Sequence, residues 1–176
     1  NQGSADLVLG NYKGVFDDSW YSKYPTDTDV IDAAITHQLN ESWQGLSSLK
    51  GKRVVSYTGY NFDRDNYIGA GYFEIGSVDS MMKMLAAGRV DAVLNYRPEL
   101  VRSGRLPNLD QSFVIKEELF TRFAYFVFYN PEKNIRHKAI FDEGLKKLID
   151  TGELKEIMIR NIGDVQYYPN YNELDM

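Results

Sequence analysis

The chain has 176 residues, 43% of them hydrophobic and 26% charged, with a formal net charge of −5 and no cysteine. This composition is ordinary for a globular protein and long enough for one domain or two small lobes. It excludes a disulfide framework and a thiolate metal site or nucleophile, argues against a basic nucleic-acid footprint, and contains no apolar run approaching the roughly 20 residues of a membrane helix.

Residues 1–12 end in a predicted strand closed by Gly10, Asn11 and Tyr12. Residues 13–29 read as a loop rich in turn formers, with Trp20, Tyr21 and Tyr24 expected to pin it down. Residues 30–35 form a strand, 40–49 a connector packed by Trp43, and 53–57 the next strand. That strand stops at Thr58-Gly59-Tyr60-Asn61. A glycine just after a buried strand lets the backbone turn tightly and a ligand approach closely. Residues 62–68 can open a short helix whose N–H groups would face an anion, although a single glycine is not a phosphate loop. Residues 72–75 make a further strand.

The stretch 77–96 organises the rest. Ser77 is a good N-cap and Asp79 complements the helix dipole. Val78, Met81, Met82 and Leu85 make one apolar helical face. Gly88 ends the helix, since glycine takes the left-handed cap conformation without strain. Val90, Ala92, Val93 and Leu94 then read as a parallel strand buried on both faces. Asn95 and Tyr96 stand at its carboxyl end, where open α/β sheets bind ligands. The phrase repeats: Gly3, Asp6, Leu7, Val8 and Leu9, then Asn11-Tyr12, echo Gly88, Asp91, Ala92, Val93 and Leu94, then Asn95-Tyr96. Two similar lobes are expected, the first entered partway through.

After Tyr96, residues 97–103 are predicted helical, 113–115 and 123–129 are strands, and 139–150 and 153–160 are amphipathic helices. Tyr167, Tyr168 and Tyr171 are expected to lie along a lobe surface. Alternating strands and helices imply an α/β fold with mostly parallel sheets. His37 and His137 have no metal-ligand spacing, no catalytic motif occurs, and neither Asp17-Asp18 nor Glu117-Glu118 makes an acid/base pair. Asp6 and Asp91, each at the start of an apolar strand, are assigned a structural role. No catalytic residue, metal site or cofactor is expected.

Three motifs in register carry a resemblance: Ser48-Leu49-Lys50-Gly51-Lys52-Arg53-Val54, the run L-A-A-G-R-V-D-A-V-L over 85–94, and F-D-E-G-L-K-K-L-I-D-T-G-E-L-K-E-I-M-I-R-N-I-G over 141–163. Together they resemble the bacterial extracellular solute-binding proteins of family 3, periplasmic receptors for polar amino acids. The resemblance implies a type II periplasmic-binding-protein fold, with residues 1–29 and 129–176 in an incomplete first lobe and 30–128 in the second. It implies non-catalytic capture of a small solute for an ABC-type uptake system, in the periplasm or outside the cell, with a membrane permease as partner. A ligand-sensing module and a dehydratase-like enzyme remain alternatives. The incomplete lobe is expected to be covered by a homodimer partner or an exchanged segment.

Three polar anchors that the family uses are altered. No arginine precedes Arg53 and Lys13 is the nearest cation; Gly59 is followed by Tyr60 rather than threonine; and Asn95-Tyr96 stand where an aspartate is usual. A less charged or aromatic ligand is therefore expected. The predicted ligand-binding set is Asn11 and Tyr12 from lobe one and Gly59, Tyr60, Asn61, Asn95 and Tyr96 from lobe two.

Overall fold

The computed structural model describes residues 6–63, 68–103 and 112–174. The chain forms two compact units, Asn1–Asp29 with Arg122–Met176, and Val30–Thr121. It passes from one to the other inside strands β2 (Asp27–Ile35) and β6 (Val114–Phe128). The second passage lies between Thr121 and Arg122, earlier than the expected boundary after residue 128. The segments read as two strands, 113–115 and 123–129, are parts of one. The polar stretch between them continues the strand through an irregularity at Glu118, whose φ is 53°. There the Glu118 N–H donates to Asp32 Oδ1 at 2.8 Å.

The unit Val30–Thr121 is built on β3 (Arg53–Tyr57), β4 (Gly71–Ile75) and β5 (Ala92–Tyr96). β3 pairs in parallel with both β4 and β5. β5 pairs antiparallel with β2, Ile31 opposite Tyr96 and Ile35 opposite Ala92. Strand side chains alternate between faces, and the sheet here carries a core on each. Ile31, Ile35, Leu49, Val54, Phe62 and Leu94 form one; Val55, Val93 and Leu100 with Met81, Met82 and Leu85 form the other. The last three residues come from helix α2 (Val78–Ala86), which follows the short α1 (His37–Glu41) and precedes α3 (Arg97–Ser103). α1 starts ahead of the predicted connector and runs into its first two residues; the Thr36 hydroxyl caps it by accepting the Leu39 N–H.

α2 follows its sequence signals. Ser77 Oγ accepts the Ser80 N–H, and burying Met81, Met82 and Leu85 contributes roughly 1.5–3 kcal/mol each. Gly88 takes φ of 64°, and the Arg89 N–H closes back on the Met84 carbonyl at 2.9 Å. Asp91 then fastens β5 to β3. Its Oδ2 accepts the Arg53 backbone N–H at 2.8 Å and Nε at 3.1 Å, while its own N–H donates to the Arg53 carbonyl. Asp6, its counterpart in the echo, makes an exposed ion pair with Lys133 instead.

In the other unit, β1 (Leu7–Asn11) lies antiparallel to β6, Leu7 opposite Phe128 and Asn11 opposite Tyr125. The described pairing in this unit is thus antiparallel, and the parallel pairing is that of β3 with β4 and β5. Leu7 and Leu9 are 40% and 63% exposed. α4 (Pro131–Asp150) and α5 (Glu153–Ile162) follow. α4 begins well before residue 139, because Asn130 in the left-handed conformation and Pro131 start it. Its first turns carry mostly polar or exposed residues, so they show no apolar periodicity. Tyr21 and Tyr24 are buried, as expected of residues pinning the loop. The Tyr21 hydroxyl donates to the Tyr12 carbonyl and accepts the Phe16 N–H. The Tyr171 hydroxyl reaches the Pro25 carbonyl at 2.7 Å. Among the described residues no helix is long and apolar enough to cross a membrane.

Leu94 is fully buried and packs in a core of its own unit. Leu94→Ala is expected to destabilise the protein by about 2–5 kcal/mol, seen as a lower urea midpoint at unchanged slope.

Candidate functional site

The carboxyl ends of β3, β4 and β5 bring five of the seven sequence-predicted site residues to one edge of the unit Val30–Thr121. The backbone turns sharply after Tyr57, with Gly59 at φ of 94° and Asn61 at 51°. Tyr60 swings over the end of β5, its ring centroid 4.7 Å from that of Tyr96. Tyr57 joins it at 5.5 Å and the buried Phe62 at 5.2 Å. Phe62 stands edge-on to Tyr96 at 6.0 Å and to Phe120 at 5.6 Å. Tilted and edge-on rings at these spacings are the favoured geometries for aromatic pairs. The result is a partly exposed aromatic platform anchored in the core by Phe62.

The hydrogen-bond donors of the turn are engaged within the chain. The Gly59 and Asn61 N–H groups donate to Glu74 Oε2 and Oε1 at 2.7 and 2.6 Å. The Phe62 N–H donates to the Tyr72 hydroxyl at 3.2 Å, and that hydroxyl donates to Glu74 at 2.8 Å. Ser56 Oγ also meets the Tyr72 hydroxyl. Burial raises the Glu74 pKa, but the two backbone N–H groups and the Tyr72 hydroxyl outweigh it and hold the carboxyl below its ordinary value. Burial, and the same bond to Glu74, push the Tyr72 hydroxyl well above its usual range.

Asn95 is completely buried, on the face of β5 that carries Val93, opposite to Tyr96. Its Oδ1 accepts the Tyr96 N–H at 2.8 Å, and its Nδ2 has no partner among the described residues. It therefore holds Tyr96 from behind rather than presenting its amide at the edge. Beside it, Asp32 is buried and held by Arg97 of α3, Nε to Oδ2 at 2.8 Å and Nη2 to Oδ1 at 3.0 Å. Glu117 and Glu118 approach the same guanidinium at 3.7 and 3.8 Å.

Asn11 and Tyr12 belong to the other unit. Asn11 ends β1, and its side chain donates to the Leu9 carbonyl. The Tyr12 hydroxyl donates to Asp29 Oδ2 at 2.5 Å, and the Arg122 guanidinium lies 3.7 Å from the Tyr12 ring centroid. Burial raises the Asp29 carboxyl pKa; Tyr12 and Arg122 pull it back only in part. Lys13 lies over the Tyr125 ring at 5.0 Å. The guanidinium that the sequence lacks near Tyr12 is thus supplied from β6. Its only local signal is that Arg122 is the single charged residue in the aromatic run 119–129. Glu74 carries no local signal either, because the Gly59 and Asn61 N–H groups that it accepts follow β3, the strand beside its own. His37 and His137 are exposed, and His137 Nδ1 lies 3.2 Å from Asn134 Oδ1.

No family model matches the chain. A curated relative, the L-cystine-binding protein TcyK of Bacillus subtilis (strain 168), is 25% identical over 163 residues, covering 86% of this chain and 56% of that protein. The chain thus spans little more than half of that relative's length. The solved structure of a probable amino-acid ABC transporter extracellular-binding protein, ytmK of Bacillus subtilis, matches with a TM-score of 0.60 at 21% identity, covering 91% of this chain and 72% of that one. A histidine kinase sensor domain with similarity to periplasmic binding proteins matches with a TM-score of 0.62 at 19% identity, covering 90% and 70%. The fold is that of the type II periplasmic binding proteins. The resemblance to the family 3 solute-binding proteins is borne out with it.

In this periplasmic-binding-protein fold, the pairing of the partly exposed Arg97 with the buried Asp32 fixes the start of α3 next to Tyr96. Arg97→Ala leaves a buried charge unpaired and is expected to cost about 3–5 kcal/mol. Asp32→Asn is expected to cost less, since no buried anion remains. Paired urea titrations of the two variants check the order.

Proposed function

We propose that the protein captures a small solute without chemically changing it, as the binding component of an ABC-type uptake system. The observation that carries this is the aromatic platform of Tyr57, Tyr60 and Tyr96 at the carboxyl ends of parallel strands, the edge where α/β sheets meet ligands. Its support from relatives is that TcyK is a binding protein for L-cystine and that ytmK is described as a probable amino-acid transporter's extracellular-binding protein. The ligand class is an amino acid or a similar small polar or aromatic molecule. The working location is the periplasm or the cell exterior, and the partner a membrane permease. Neither relative is named as an enzyme.

Tyr60 and Tyr96 are assigned the stacking surface, with Gly59 and Asn61 shaping the turn beneath them. Asn95 positions Tyr96 through its backbone. Asn11 and Tyr12 are proposed as solute contacts of the other unit, with the Arg122 guanidinium 3.7 Å from the Tyr12 ring centroid. A second reading, a ligand-sensing module, is favoured by the sensor-domain neighbour. A permease gene beside the coding sequence supports uptake; a kinase domain in the same chain supports sensing.

Calorimetry with L-cystine and a panel of amino acids on the full-length protein tests the reading. One member of the panel should bind, and Tyr60→Ala and Tyr96→Ala should each weaken it at least about tenfold, or ~1.4 kcal/mol. Unchanged affinity in both variants would remove the platform from the site.

A further inference from the structure

A turn after a buried strand is an anion receptor when its N–H groups point outward together. The turn after β3 has that backbone, with left-handed conformations at Gly59 and Asn61. Yet each N–H from Gly59 to Phe62 is taken. Gly59 and Asn61 donate to the two oxygens of Glu74. Tyr60 donates to the Tyr57 carbonyl at 3.1 Å. Phe62 donates to the Tyr72 hydroxyl, which in turn donates to Glu74. A free carboxylate arriving here would have to expel a carboxylate tethered to the adjoining strand. The tethered group pays no translational entropy to bind, so at ordinary concentrations it wins.

We propose that Glu74 is a specificity-determining residue: it fills the anion-binding turn of this unit with the protein's own carboxylate and so closes that turn to the carboxylate of a solute. Building on the reading of this edge as solute-facing, the solute meets the unit through a flat or hydrogen-bond-donating part, laid on the tyrosine rings beside a fixed negative charge. Discrimination at this edge is against anionic groups, because a second carboxylate would be repelled by Glu74 and would find no N–H free to receive it. This deepens the expectation of a less charged ligand by naming the residue that enforces it. Tyr72 is the positioning residue, orienting Glu74 from the same strand.

The test reads the turn directly. In ¹⁵N-labelled protein the Gly59 and Asn61 amide shifts are followed through an acid titration and through titration with sodium acetate as the probe carboxylate. The Glu74 carboxyl is held below its ordinary value. Its bonds are therefore complete at neutral pH and are lost only as the pH falls through that depressed value. Both wild-type amides should report this step, and Glu74→Gln should abolish it. Acetate should leave the wild-type amides unmoved and saturate those of Glu74→Ala at least tenfold more tightly. Two results overturn the proposal: wild-type amides that stay flat through the acid titration, or acetate shifts equal in wild type and Glu74→Ala. If Glu74→Ala does not fold, the acid titration of wild type and Glu74→Gln decides alone. A calorimetric failure to bind any amino acid would sink the solute-capture reading while leaving these amide shifts as they are, so the two failures are separable.

Discussion

The bond between Arg53 and Asp91 sets the level of everything at the carboxyl edge. Asp91 meets Arg53 through both backbone and side chain, and the Arg53 guanidinium also reaches the Gly88 carbonyl at the end of α2. The ion pair itself is half exposed and contributes little through charge alone. Its importance is geometric. Because the register of a strand decides which side chains face which way, fixing the amino ends of β3 and β5 fixes where those strands finish. Tyr57 and Tyr96 then close neighbouring strands, and the Tyr60 ring packs against both. A slip of one residue would exchange the sheet faces taken by Asn95 and Tyr96.

The edge that results is crowded with bonds made within the chain. Aromatic rings contact one another, Asn95 satisfies the Tyr96 N–H, and Glu74 satisfies the turn. On the proposed reading, a surface organised this way is ordered before a solute arrives, so less ordering entropy would be lost on binding. It also restricts what can be recognised, since donors already satisfied offer no net gain to a competing acceptor. On the proposed reading, shape, stacking and the charge of Glu74 are what would discriminate between solutes.

Much of this architecture is legible in the sequence where the signals are local. The Ser77 cap, the apolar face of α2, the Gly88 stop and the strand Arg53–Tyr57 depend on residues within a turn of one another. The placement of Tyr60 and Tyr96 at strand ends follows from the same local reading. The rest is not legible, because it depends on pairings distant along the chain. Glu74 looks like an ordinary solvent-facing strand residue until β4 is laid beside β3. Asn95 looks like an edge residue until the pleat of β5 turns it inward. Arg122 meets Tyr12 only because β1 pairs with β6. The unbroken length of β6 depends on the Glu118 N–H finding Asp32, which no local pattern announces.

The two units differ in how their chain is supplied. Val30–Thr121 is one continuous segment, whereas its companion is assembled from Asn1–Asp29 and Arg122–Met176. The Tyr171 hydroxyl, in the second of these segments, closes on the Pro25 carbonyl in the first. During synthesis the continuous unit has all its residues while residues 122–176 are still unmade, and domains form as their residues emerge. The discontinuous unit has to wait for β6, α4, α5 and Tyr171. For that interval Tyr21 lacks Tyr125 and Val127, and Tyr24 lacks Leu145 and Tyr171, the buried residues each packs with in the finished unit.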